Sequence, residues 1–188
     1  MPVVVSAPGR ILPVLGPTLT YTYQVVTAVD QQLEYAFQHW DNYNLAEYGG
    51  FTPWGGDCMD FVSQTLVARG WATTDEWYND AQEGWAPAFV DVPAFDDWLS
   101  SHPELGAVRL DGSQRDQLKI GDIVMFDWNN DGSPDHAQVV SGIRVIGGVR
   151  HIYLVGHDID TDYRDLDDAL KTEGGPNANV SFWSLPPD

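Results

Sequence analysis

The stretch "PWGGDCMDFVSQTLVARGW", residues 53–71, holds the single cysteine of the 188-residue chain, Cys58, where two glycines give way to an apolar-periodic run. From Cys58 onward, Phe61, Val62, Thr65, Leu66 and Arg69 keep a three-to-four spacing, which predicts a helix with one face turned to a core. Gly70 stands where such a helix ends in a left-handed residue. Cys58 is thereby placed in the first turn, whose backbone N–H groups lack intrahelical partners. A thiol attacks as thiolate, and its ordinary pKa is near ~8.5, so a nucleophilic cysteine needs a device that favours the charge. A helix N-terminus is one such device, and the same N–H groups can hold the oxyanion of a tetrahedral intermediate. Gly55 and Gly56 carry no side chains and leave room for a substrate. A buried, inert cysteine is the competing reading.

Upstream, Thr27 with Asp30 forms a capping-box pattern, and Leu33, Ala36, Phe37 and Trp40 share one face of a helix running to about Tyr43. "YNLAEYGGFTPWGG", residues 43–56, is a turn-rich loop. Downstream, residues 72–92 read as a polar, tryptophan-bearing connection, and "VPAFDDWLSSH", residues 92–102, as a short helix. Four β-branched runs follow, "LKIGDIVMFDW" (118–128), "HAQVVSGIRV" (136–145), "VRHIYLVGH" (149–157) and "VSFWSL" (180–185). The expectation is an α+β fold, N-terminal helices packed on a C-terminal antiparallel sheet. Residues 1–26, with the alternating "TLTYTYQVV", read as an extended arm or strand, and residues 27–188 as one domain.

Twenty-eight acids against nine bases give a formal charge of -19. Binding to a phosphate backbone through clustered Lys and Arg is excluded as an expectation, so no nucleic-acid partner is anticipated. No stretch approaches the roughly 18 apolar residues of a membrane span. Aspartate outnumbers glutamate 22 to 6, and short carboxylates in loops are ligands that hard cations such as calcium take. "DWNNDGSPDHAQ", residues 127–138, puts Asp127, Asn129, Asp131, Gly132, Ser133 and Asp135 at positions 1, 3, 5, 6, 7 and 9 of a calcium-loop pattern, with Gln138 in place of the closing glutamate. A structural calcium ion that fixes this turn is one reading; an aspartate-rich hairpin turn without metal is the other. "HDIDTDYRDLDD", residues 157–168, lacks the glycine and reads as a solvated loop. No organic cofactor is expected.

"YNLAEYGGFTPWGGDCMDFVSQTLVARGW", residues 43–71, resembles the putative amidase domain family of bacteria, a branch of the papain-like NlpC/P60 and CHAP superfamily, and "GDIVMFDWNNDGSPDHAQVV", residues 121–140, resembles its second block. Asp60 stands where the family usually has Asn, Leu45 where it usually has Pro, and Ala68-Arg69 where it is often glycine-rich. The resemblance implies a papain-like fold with Cys58 as nucleophile and His136 as base. It implies a third residue on the next strand, for which His157 matches best and Asp158 is the alternative, and it puts Tyr48 where an oxyanion donor lies in NlpC/P60 relatives. His39 and His102, on or just after predicted helices, read as surface residues, and His151, at the start of a strand, as structural.

The function expected from these residues is cysteine-dependent hydrolysis of an amide bond. The resemblance points to bacterial cell-wall peptide, or peptidoglycan, as substrate, in the cell envelope or outside the cell; the N-terminus, "MPVVVSAPGRILPVLG", lacks the form of a secretory signal. Two alternatives stand beside it: a secreted effector or toxin that cleaves a protein target, and a non-catalytic, calcium-stabilised binding module on the same fold.

Overall fold

The computed structural model describes residues 25–187, so the arm expected over residues 1–26 lies outside the described residues except for Val25 and Val26. Helix α1 (Ala28–His39) begins at the capping box its sequence predicts: the Thr27 hydroxyl accepts from the Asp30 N–H at 3.1 Å, and the Asp30 carboxylate accepts from the Thr27 N–H at 3.0 Å. A short helix α2 (Leu45–Tyr48) and a 3-10 turn (Thr52–Trp54) lead into α3 (Cys58–Ala68). Two short helices, α4 (Pro87–Val90) and α5 (Val92–Ser101), complete the helical layer.

Helix α3 is more enclosed than its periodicity suggests. Every residue from Cys58 to Leu66 is buried, because α1, α4, α5 and the sheet all pack against it. Its polar residues therefore need partners inside the protein. Ser63 accepts from the Trp77 indole N–H at 3.2 Å, Gln64 accepts from the Tyr35 hydroxyl at 2.6 Å and donates to Asp60 at 2.6 Å, and Thr65 donates to the Val62 carbonyl at 2.7 Å. At its C-terminus the Gly70 N–H bonds the Val67 carbonyl and the Trp71 N–H the Leu66 carbonyl, at 2.9 and 3.0 Å. This is the Schellman arrangement, and Gly70 sits at φ 103°.

The expected connection over residues 72–92 is structured. It carries a two-stranded ribbon, β1 (Asn79–Asp80) with β2 (Gly84–Trp85), and it buries Trp77 completely. The Trp77 ring stacks on Trp98 at 5.4 Å and meets Phe89 at 5.0 Å, so one aromatic anchor ties a polar segment to the helical layer.

The sheet is antiparallel and six-stranded, formed by β3 (Val108–Asp111), β4 (Ile123–Asp127), β5 (His136–Ile146), β6 (Val149–Gly156), β7 (Thr161–Asp165) and β8 (Asn179–Ser184). Their spatial order is β3-β8-β4-β5-β6-β7. Alternation along a strand sends successive side chains to opposite faces. Ile123 and Met125 of β4 accordingly join Phe61, Val62 and Leu66 in one core, while Val124 and Phe126 join Val140, Leu154 and Phe182 in a second. Helix α6 (Leu166–Ala169) closes that second core with Leu166 and Ala169. The fold is thus α+β, with the helices largely before the sheet. Two strands of this sheet escape the sequence reading. β3 is short, and β7 falls in the segment read as a solvated loop, since "TDYRD" offers no apolar alternation. Among the described residues no helix is long and apolar enough to cross a membrane.

Replacing Gly70 with alanine forces a Cβ into a left-handed conformation. Gly70→Ala is expected to lower stability by about 1–2 kcal/mol in denaturant unfolding, with the m-value unchanged.

Candidate active site

Three elements converge at the N-terminus of α3. Asp57 occupies the N-cap position, yet its side chain does not cap the helix. One of its oxygens accepts from the Phe51 N–H and the other faces His157 Nδ1, both at 2.7 Å. The cap comes instead from the loop after β6: Asp158 Oδ2 accepts from the N–H groups of Asp57 at 2.6 Å and Cys58 at 2.8 Å. Two backbone features admit it. Asp158 adopts φ 67°, rare for a side-chain-bearing residue, and Gly56, at φ 143°, lies so close that a Cβ there would stand 2.9 Å from Asp158 Oδ2. Gly56 makes room for this carboxylate.

Cys58 opens α3 and His136 opens β5, and a ligand atom of each lies within 4.8 Å of the other and of an Asp158 oxygen. No hydrogen bond joins the three side chains. Both Cys58 and His136 are 6% exposed. Burial pushes the thiol up to about 12; the Asp158 charge adds to this, while the backbone N–H groups of Ala137, Met59 and Cys58 itself oppose it. Burial pushes the imidazole down to about 4, and the Arg164 charge acts in the same direction. The expectation of a thiolate stabilised by the helix N-terminus thus meets a stronger opposing effect. The sulfur is enclosed, and the positive end of the helix is already engaged by a carboxylate. At neutral pH the resting site holds a neutral thiol beside a neutral imidazole. The His136 ring packs 5.8 Å from Phe126 and 6.0 Å from Trp128, and its Nε2 is buried without a hydrogen-bond partner.

His157, the first choice for a third residue, is fully buried and uses both ring nitrogens elsewhere: Nδ1 on Asp57 and Nε2 on the His39 carbonyl at 2.8 Å. Its ring stacks on Tyr43 at 3.6 Å with planes 3° apart, and it meets Phe61 at 4.1 Å. It clamps the end of α1 to the start of α3 and makes no bond to His136. Tyr48 lies within the helical core, stacked 5.9 Å from Phe89, with its hydroxyl beside Glu47 and no hydrogen bond to Cys58 or His136. Nothing in the sequence pattern marks Asp57 or Tyr43, although Asp57 directly precedes the cysteine. The remaining histidines lie apart: His102 pairs with Glu76 at 3.3 Å, His151 with Asp165 at 2.8 Å, and His39 contributes its carbonyl.

In the 127–138 loop, Asp127 accepts from the N–H groups of Asp131 and Gly132, Asn129 from Asp131, Asp131 from Ser133, and Asp135 from Trp128, at 2.7–3.1 Å. These are bonds of an aspartate-built hairpin turn between β4 and β5. Gln138 lies inside β5, fully buried.

Two residues after Cys58, Asp60 is fully buried and accepts from Gln64 and from Asn79, at 2.6 and 2.7 Å. Burial outweighs those bonds and raises its carboxyl to about 8.

The family model described as "Putative amidase domain" matches residues 23–183 of the chain. No curated protein and no solved structure matches it.

A carboxyl raised from 3.8 to about 8 on folding favours the folded state while it is neutral; the contribution is complete below about 3.8 and is lost as pH rises through 8. The melting temperature of the wild type is therefore expected to fall relative to that of Asp60→Asn as pH goes from about 5 to about 9. Parallel curves would show that Asp60 is already ionised across that range.

Proposed function

Because the chain belongs to this amidase-domain family, we propose that it cleaves amide bonds through Cys58, with His136 as the base, in bacterial cell-wall peptide and outside the cytoplasm. The observation that carries the reading is the approach of a helix-starting thiol to a strand-starting imidazole, within 4.8 Å. A neutral imidazole is the form that can take a proton. As Cys58 Sγ attacks the carbonyl carbon, its proton passes to His136, and the paired charges form together with the tetrahedral intermediate. His136 then returns the proton to the leaving amine, and water, deprotonated by His136, releases the acid from the thioester.

The Cys58 N–H is the donor this reading assigns to the oxyanion, and Asp158 holds it at rest. Substrate binding in this reading displaces the carboxylate, which then stands by to stabilise the imidazolium. His157 is a positioning residue acting through Asp57. The Tyr48 hydroxyl, beside Glu47, takes no part. A cysteine at a helix start and a histidine at a strand start, with helices preceding an antiparallel sheet, support extending the proposal to a papain-like fold of the NlpC/P60 and CHAP superfamily.

Purified sacculi incubated with the protein are expected to gain new amine termini. Cys58→Ala should abolish the gain, and His136→Ala should lower kcat by about 10²–10⁴-fold. Full activity in Cys58→Ala would end the proposal. Since His136 stays neutral down to about 4, the acid limb of the free enzyme's pH profile is expected near that value and not near the ordinary ~6.5.

The 127–135 turn enters the proposal as a structural calcium site. Its side-chain oxygens accept backbone N–H bonds, and a carboxylate oxygen so engaged retains a further lone pair of the kind a hard cation takes. Calcium added to chelator-treated protein is expected to bind with measurable heat and raise the melting temperature by a few degrees. No heat and an unchanged midpoint would assign the turn to hydrogen bonding alone.

A further inference from the structure

The same three side chains that meet at the start of α3 form a donor set of another kind. Cys58 offers a sulfur, His136 a ring nitrogen and Asp158 an oxygen, all within 4.8 Å of one another. They come from α3, β5 and the loop after β6, so the fold and not local sequence assembles them. Two observations point beyond chance proximity. His136 Nε2 is buried with no hydrogen-bond partner, on a ring the protein orients only by packing. Asp158 uses Oδ2 for the helix N-terminus, and its other oxygen takes no hydrogen bond within the protein.

We propose that Cys58, His136 and Asp158 bind a zinc ion that blocks the thiol, a reversible metal-capped state of the site. Sulfur, imidazole and carboxylate are the ligands zinc takes, and three protein ligands leave the fourth position to water. Tetrahedral zinc with ordinary bond lengths sets its ligand atoms roughly 3.3–3.6 Å apart, so the trio closes by about an ångström through side-chain rotation. Soft sulfur with imidazole selects zinc over calcium or magnesium, which prefer oxygen. The carboxylates of Asp57 and Asp160 nearby, on a chain of charge -19, draw cations toward the site. On binding, the thiol proton leaves to solvent and the sulfur lone pair is held by the metal, out of reach of a carbonyl. The blocking role rests on the proposed thiol chemistry; the metal binding does not.

The test uses the full chain stripped of metal and cobalt(II) as the probe. A sulfur-to-cobalt charge-transfer band in the near ultraviolet, saturating at one equivalent and erased by zinc, is expected. Cys58→Ser should lose the band, and Asp158→Asn should weaken cobalt binding at least about tenfold, with circular dichroism melting to check that the variant is folded. Equimolar zinc should slow alkylation of Cys58 by iodoacetamide at least about tenfold, and chelator should restore it. No band in the wild type, or alkylation indifferent to zinc, overturns the proposal. Amide hydrolysis that rises with zinc overturns the blocking role. A cobalt band in a protein that hydrolyses nothing leaves the metal site standing and removes the hydrolase reading; hydrolysis without a band does the reverse.

Discussion

The N-terminus of α3 is held by side chains from the far end of the chain, and the site exists because of that junction. Asp158 receives the N–H groups of Asp57 and Cys58, and the buried His157 bonds both Asp57 and the His39 carbonyl. A helix start left without partners inside a protein would strand several N–H groups. Here two adjacent residues after β6 meet that need and at once fix where Cys58 stands relative to β5. Fold and site are one constraint: the loop that satisfies the helix also sets a carboxylate beside the thiol.

The junction has an electrostatic consequence. A helix N-terminus usually favours a thiolate, yet the Asp158 carboxylate already takes that influence, and the enclosed sulfur resists ionising. The enclosed imidazole resists protonation for the same reason. Each neutral group suits the other, since two buried charges would have to overcome desolvation with an ion pair of good geometry. The resting arrangement is therefore closed and uncharged at the thiol and imidazole.

Much of this was legible in the sequence because the signals were local. The Thr27–Asp30 box, the spacing after Cys58 and Gly70 as a stop depend on neighbours within one turn, and each appears where the spacing places it. Cys58 and His136, which the resemblance pairs, lie within 4.8 Å of each other. What stayed hidden was long-range. Nothing within a few residues of His157 says that its partners are Asp57 and His39, or that Tyr43 stacks on it. Nothing in the helical spacing shows that α3 is enclosed on all sides, since that depends on α4, α5 and a buried Trp77 arriving later in the chain. Strand β7 is hidden for the opposite reason: its pairing with β6 relies on backbone bonds, and its side chains look like those of a loop.

Those side chains matter for what happens between molecules. Among the described residues β7 pairs with β6 alone and so forms an edge of the sheet, the usual template on which a second polypeptide can add itself. Asp162, Arg164 and Asp165 line this margin with charge, and Arg164 is held there by Glu173 and Thr172. The acidity that disguised the strand also discourages copies of the protein from stacking edge to edge into fibrils.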